Sequence, residues 1–297
     1  MKPLRVLLAC RDNPRSSADR MIGHWSYQVP EFTWDILPVP RWFVLDMSKY
    51  YGAYDLIVHE DTKAWGVFHC DRAVLPVAYI VRDSTLSDDH YIQRIKQAWK
   101  QADIILVDWD RLERFQGLGH PVLRFSHCVN DRLFRDYGEG KMVDVAFHMA
   151  VKGNPERAEL REWLRWLCIT RGWTFENGVI GGEDYARSFS RAKVTLNMER
   201  TPTTRAHRVF DAMACRTCLL TTPEPDVEGE ERRAGVHYVE WRDRQDLILA
   251  LGRLLDDGEW EPVANAGYEL VQRCHTWAVR ARELREALAG IRGEWAE

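Results

Sequence analysis

Between Tyr185 and Thr221 the chain reads YARSFSRAKVTLNMERTPTTRAHRVFDAMACRTCLLT, and its polar residues are spaced as a bound anion would require. The pattern is helix, buried strand, polar loop, helix, buried strand. The loop carries Arg200, Thr203, Thr204 and Arg205, and Arg208 and Asp211 follow three residues apart on one face of the next helix. A loop that ends at a helix N-terminus offers unpaired N–H groups and a partial positive charge. Threonine hydroxyls and arginines at that end form a cradle for a diphosphate. A carboxylate one turn further in can hold the hydroxyls of a ribose or sugar. The stretch therefore points to a nucleotide-sugar site. Thr203, Thr204, Arg205, Arg208 and Asp211 stand on the donor side, and Arg208 and Asp211 are also catalytic candidates.

Other polar residues stand just past apolar runs of the first half. Asp83, in VAYIVRDST, follows a buried strand and is placed to act as a general base on an acceptor hydroxyl; its ordinary roles are a helix cap or a pair with Arg82. Glu60 and Asp61, in VHEDTKAW, are rivals for the acceptor side. His24, in MIGHWSYQ, is another, although a lone histidine serves equally as a cap or core residue. Asp108-Trp109-Asp110 has the spelling of a metal-binding D-x-D, but Asp110 suits the N-cap of RLERFQ better, and no metal is expected. Cys215 and Cys218 form an isolated C-x-x-C that reads as a helix end leading into a strand. Nucleophile-elbow, phosphate-loop, zinc-protease and dinucleotide signatures do not occur.

The elements that must position these groups alternate. Short apolar runs at 5–9, 55–59, 77–81, 104–107 and 122–125 read as parallel strands covered on both faces, with helices over 88–101 and 110–115. The polar segment 136–141, DYGEGK, marks a linker, and a second alternation begins with a strand at 143–147. Asn154 caps the helix that follows it, with Pro155 at its first position. Trp163 with Leu160, Leu164 and Leu167 keeps helical core spacing. The chain of 297 residues suits two domains. Its net charge is −4 and neither half is basic, so bulk charge gives no argument for nucleic acid. No apolar run is long enough for a membrane span, and MKPLRVLLACRDN reads as a first strand rather than a signal peptide. Seven scattered cysteines, an odd number, read as reduced thiols of a cytoplasmic protein.

The motif HRVFDAMACRTCLLT resembles the R-x-F-E-A-M-A-C-G-x-x-L-L-T segment of CgeB-like glycosyltransferases, relatives of the large retaining family four. AGVHYVEWRDRQDLILALGRLLDD and ANAGYELVQRCHTWAVRARELREAL are similar to later runs of that family, and SHCVNDRLF to its interdomain segment. The resemblance implies the GT-B fold: α/β, with two doubly wound Rossmann-like domains facing a cleft and a C-terminal helix crossing back. Residues 1–138 would bind the acceptor, 139–275 the nucleotide sugar, and 276–297 form the crossover helix. By the same resemblance Lys152 is a phosphate-binding candidate and His275 a structural residue. Three departures stand out. Asp211 replaces a glutamate, Arg216 replaces the glycine of A-C-G, and the first acid of the family-four E-x7-E pair falls at Thr203.

The function these observations imply is transfer of a sugar from a UDP- or GDP-sugar to a glycan, protein or DNA acceptor without metal or other cofactor. A phage-type DNA- or protein-modifying enzyme, a non-catalytic GT-B binding or surface-layer protein, and a sugar-nucleotide 2-epimerase are the alternatives.

Overall fold

The computed structural model describes residues 2–11, 24–40, 42–60, 65–81, 102–107, 119–178, 181–199, 206–224 and 231–293. The chain forms two compact units, one from residues 1–127 and 277–297, the other from 128–276.

The first unit contains β1 (Leu4–Arg11), β2 (Phe32–Val39), β3 (Trp42–Asp46), β4 (Leu56–Glu60), β5 (Trp65–His69), β6 (Val77–Val81), β7 (Ile104–Val107) and β8 (Val122–Arg124). Six of these form one parallel sheet in the order β2-β1-β4-β6-β7-β8, while β3 pairs with β5. The order reverses direction between β1 and β4, the mark of a doubly wound sheet. The expected strands at 5–9, 55–59, 77–81, 104–107 and 122–125 correspond to β1, β4, β6, β7 and β8. Three strands escape a hydrophobic reading for a physical reason. β2 is an edge strand that contains Pro38 and exposes much of its length, so it needs neither an apolar run nor every N–H. β3 and β5 lie outside the main sheet, where Phe43 and Phe68 pack with Met47, Leu7 and Ile57. The helices expected at 88–101 and 110–115 lie outside the described residues.

The second unit contains β9 (Val143–Phe147), α1 (Pro155–Arg171), β10 (Phe175–Asn177), α2 (Gly182–Arg191), β11 (Ala192–Asn197), α3 (Arg208–Ala214), β12 (Cys218–Thr221), β13 (Val239–Glu240), α4 (Arg244–Leu255) and α5 (Trp260–Cys274). Its parallel sheet has the order β10-β9-β11-β12-β13 and reverses between β9 and β11. Asn154 caps α1 by accepting from Arg157 N at 3.0 Å, with Pro155 in the first turn. Leu160, Leu164, Leu167 and Trp163 pack on Val145, Phe147, Val194 and Leu196, as their spacing requires.

The glycine-bearing segment 136–141 belongs to the second unit and is not a linker. Tyr137 N donates to Ser190 Oγ at 2.8 Å, and Lys141 Nζ donates to the carbonyls of Ser190 and Cys215 at 2.9 and 3.2 Å. The passage between units lies at 127–128, about ten residues before the expected boundary at 138. The glycines of segment 136–141 make a tight turn, with φ near +70° and +79° at Gly138 and Gly140.

The last helix, α6 (Trp277–Ile291), is part of the first unit. Trp277 Nε1 donates to Tyr27 O at 2.8 Å, and its ring lies against Trp25 and Phe32. The expected C-terminal crossover helix therefore exists, built on a tryptophan with no solvent exposure. Among the described residues no helix is long and apolar enough to cross a membrane.

Helix α3 is buried at every position from Val209 to Ala214. It can be so because α5 comes unusually close to it at Gly267. A Cβ there would stand 2.7 Å from His237 O and 3.2 Å from Met213 Cε. Gly267→Ala is therefore expected to destabilise the protein by about 1–3 kcal/mol through overpacking, although alanine is the better helix former by about 1 kcal/mol. Thermal denaturation checks this; a higher melting temperature for the variant would show that the contact yields.

Candidate active site

A doubly wound sheet gathers ligands beyond the C-terminal ends of its strands, at the point where strand order reverses. In the second unit those ends are Phe147–His148 on β9 and Asn197–Glu199 on β11, with Thr221 on the neighbouring β12. At these ends the strands give way to polar residues, His148, Asn197 and Thr221, all of them buried.

Arg208 opens α3 facing this edge, and its Nη1 donates to Asn197 Oδ1 at 3.1 Å. Asn197 has no solvent exposure, and its Nδ2 donates to Glu199 Oε1 at 2.6 Å and Thr221 Oγ1 at 3.0 Å. Glu199 Oε1 also accepts from Ala206 N at 2.9 Å, and Glu199 N donates to Thr222 Oγ1 at 3.0 Å. Burial raises the Glu199 pKa, opposed by its hydrogen bond from Ala206 N. Thr221 Oγ1 in turn approaches Glu224 Oε1 at 3.2 Å, and Glu224 forms a fully buried ion pair with Arg232. Arg157, buried in the first turn of α1, donates to Met198 O.

Among the described residues, Arg208 Nε and Asp211 Oδ1 are buried and have no hydrogen-bond partner. Arg208 and Asp211 share a helix face, as expected, yet they make no ion pair; the cation's field alone reaches the carboxylate. Burial therefore dominates and raises the Asp211 pKa well above the usual carboxylate range. Tyr185 on α2 feels both charges, and its burial pushes its pKa up to about 12. His148 is buried at the end of β9. Its Nδ1 lies 2.9 Å from Gly178 O, which can only accept, so that nitrogen carries the proton and Nε2 faces Ser188 Oγ at 2.8 Å. Burial lowers its pKa and keeps the ring neutral.

The structure distributes the sequence candidates unevenly. Arg208 and Asp211 lie together at the strand ends. Lys152 is exposed on the turn that leaves β9 toward α1. Thr203, Thr204 and Arg205 lie outside the described residues, as do Asp61, Asp83 and the Asp108–Asp110 pair. Glu60 is the last residue of β4, at the C-terminal edge of the first sheet. His24 lies in the interior of the first unit, stacked 3.8 Å from the Phe125 ring, with Nε2 2.8 Å from Ser126 O. That is the core placement weighed above, not an exposed acceptor group. His275 stacks on Phe210 at 4.3 Å and its carbonyl accepts from Val129 N at 2.8 Å, so it braces α3. Cys215 and Cys218 are free and buried, and burial pushes the Cys218 thiol up to about 12, so both stay protonated. Asn197, Glu199, Glu224 and Arg232 escaped the sequence reading. The usable signal was a polar residue closing each buried strand, as in TLN and CLLT.

Residues 125–286 match the family model described as Glycosyl transferase-like. The chain belongs to this family. No curated protein sequence matches it. Solved structures match this glycosyl transferase-like chain over almost its whole length. HepE of Anabaena in complex with UDP is 11% identical, with a TM-score of 0.64 over 97% of this chain and 100% of that one. A glycosyltransferase from Rickettsia africae is 7% identical, with a TM-score of 0.63 over 98% and 99%. Sucrose-phosphate synthase from Thermosynechococcus elongatus is 13% identical, with a TM-score of 0.60 over 98% and 100%. The fold is that of the GT-B glycosyltransferases.

Because the native chain retains a proton on Asp211 that the unfolded chain releases near pH 4, its stability falls as pH rises above that value. Asp211→Asn cannot ionise and escapes this fall. The variant is expected to match the parent at pH 4.5 and to melt a few degrees higher at pH 7.5, about 2–4 °C per kcal/mol. Melting curves at the two pH values decide it; a less stable variant at pH 7.5 would mean that the carboxylate is already partnered.

Proposed function

We propose that this protein is a CgeB-like glycosyltransferase that moves a sugar from a nucleoside-diphosphate donor to an acceptor hydroxyl, with the donor held by the second unit. The observation that carries the reading is the open pair on α3. A buried guanidinium N–H and a buried carboxyl oxygen, neither with a hydrogen-bond partner among the described residues, stand near the point where the strand order reverses. Leaving such groups unmade costs about 1–3 kcal/mol each, and one ligand answers both: a diphosphate accepts from Arg208 while a neighbouring ribose or sugar hydroxyl donates to Asp211.

Uridine is the favoured base, ahead of guanosine, because the similar HepE fold has been solved with UDP and with UDP-glucose. Negative charge builds on the diphosphate as the glycosidic bond breaks, and a cation already fixed in place counts most at that moment. Asn197 fixes Arg208 in this way. Lys152 reaches the same phosphates from its turn, and Thr203, Thr204 and Arg205 complete the cradle in this proposal. Side-chain cations thus do the neutralising, and metal is not needed. In an inverting course Asp83 is the acceptor's base. A reducing cytoplasm suits a chain whose seven cysteines form no disulfide.

The test is a thermal-shift screen against UDP, GDP, TDP, ADP and CMP, each with Mg²⁺ and with EDTA. UDP should raise the melting temperature equally in both, since only ligands that prefer the folded state stabilise it. Arg208→Ala should weaken UDP binding by roughly 10- to 150-fold, the size of a lost charged hydrogen bond. An unchanged dissociation constant removes Arg208 from the donor site, and no response to any nucleotide removes the donor site itself.

A further inference from the structure

We propose that Glu199 is the positioning residue for Arg208, acting through the side-chain amide of Asn197; this rests on the donor reading above only for its consequence in binding. The argument begins with a symmetry. A primary amide presents an oxygen on one side and an NH₂ on the other, nearly equal in shape, so its neighbours decide which way it faces. Asn197 is fully buried and meets three groups: Arg208 Nη1 at 3.1 Å, Glu199 Oε1 at 2.6 Å and Thr221 Oγ1 at 3.0 Å. Thr221 Oγ1 accepts from the same NH₂, its own proton being directed to Thr222 O at 3.1 Å or Glu224 Oε1 at 3.2 Å; a hydroxyl can rotate to donate instead, so it holds that face less firmly than a carboxylate does. Arg208 only donates, and an ionised Glu199 only accepts.

The carboxylate therefore holds the NH₂ of Asn197 toward itself and leaves Oδ1 facing the guanidinium. Without that acceptor the amide is free to turn, and its NH₂ would meet Arg208 donor against donor. Glu199 constrains the same arginine along the backbone as well, because the oxygen that accepts from Asn197 also accepts from Ala206 N, two residues before Arg208. One oxygen thus fixes both the side-chain partner of Arg208 and the main chain leading into it. Its own backbone is tied by Glu199 N to Thr222 Oγ1, so the anchor does not swing. The family acid missing at Thr203 leaves the site with this carboxylate four residues earlier, which acts on the arginine.

The experiment compares Glu199→Ala with Glu199→Gln, which keeps an acceptor oxygen. Two readouts are used: side-chain NMR of Asn197 and amide exchange at Ala206 without ligand, and UDP affinity by calorimetry. In the parent, both Asn197 Nδ2 protons should exchange slowly, with Ala206 N–H protected; rapid exchange of either Nδ2 proton overturns the proposal even if Glu199→Ala fails to fold. Glu199→Ala should lose that protection and bind UDP about ten-fold more weakly, the scale of one lost hydrogen bond. It should add little to Arg208→Ala, since the two act in series. Glu199→Gln should stay within about two-fold of the parent. UDP affinity unchanged in Glu199→Ala, or losses that add fully with Arg208→Ala, overturns the relay. If the parent does not bind UDP, the donor reading falls, and the exchange data alone judge whether Glu199 positions Arg208.

Discussion

Arg208 donates to the amide oxygen of Asn197, and that bond ties α3 to the C-terminal end of β11. Much of the second unit is arranged so that it can form. A parallel sheet covered on both faces leaves the strand ends as the place where polar side chains can gather without breaking the core. α3 must then lie flush against that sheet, although it begins with an arginine and carries an aspartate. Gly267 lets α5 approach from behind, His275 lies flat on Phe210, and Lys141 takes up the Cys215 carbonyl at the helix end. Each of these contacts removes a way for α3 to move.

The charges at the strand ends fall into two sets with different physics. Glu224 with Arg232, and Arg157 with the Met198 carbonyl, are answered within the protein. Such buried pairs repay their desolvation only in part and add more to definition than to stability. Asp211 is different, since among the described residues nothing bonds its buried Oδ1 and only the field of Arg208 reaches it. That open oxygen favours ligand binding over a structural role for α3, because a helix kept only for packing gains nothing from a buried carboxyl group left without a partner.

How much of this was legible in the sequence follows from what each element owes to local and to distant residues. β1, β4, β6 and β7 were plain because a strand buried on both faces must be apolar throughout. β2 was hidden, since an edge strand with Pro38 and Asp35 carries no such obligation. Arg208 and Asp211 were found because helical spacing alone puts them on one face. Asn197 and Glu199 were not, because their importance arises from β12 and α3 closing around them, a contact between residues up to 24 positions apart. The same spacing would equally allow an ion pair between Arg208 and Asp211, which does not form. Sequence distance fixes which face a side chain leaves from, and packing decides where it points.

Arg216 shows the same division from the other side. In the resembling family this position is glycine, which suits a left-handed turn, and an arginine there requires either a different turn or a strained one. The turn is kept: Arg216 has φ of 52°, and its N–H donates to Met213 O at 3.0 Å. A side chain in that region costs roughly 1–2 kcal/mol. Its guanidinium lies 4.3 Å from the Tyr268 ring on α5 and 3.8 Å from Asp136, interactions that are each worth about 1 kcal/mol or less where half exposed. They offset the strain in part and do not remove it, so the backbone here is dictated by what it joins. α3 must end and β12 must begin within three residues, with the Cys215 carbonyl turned to Lys141 and Thr217 Oγ1 donating to Phe189 O at 2.5 Å. A turn fixed at both ends in this way accepts an unfavourable residue before it changes shape, which is why the position of Arg208 and Asp211 survives the loss of the glycine.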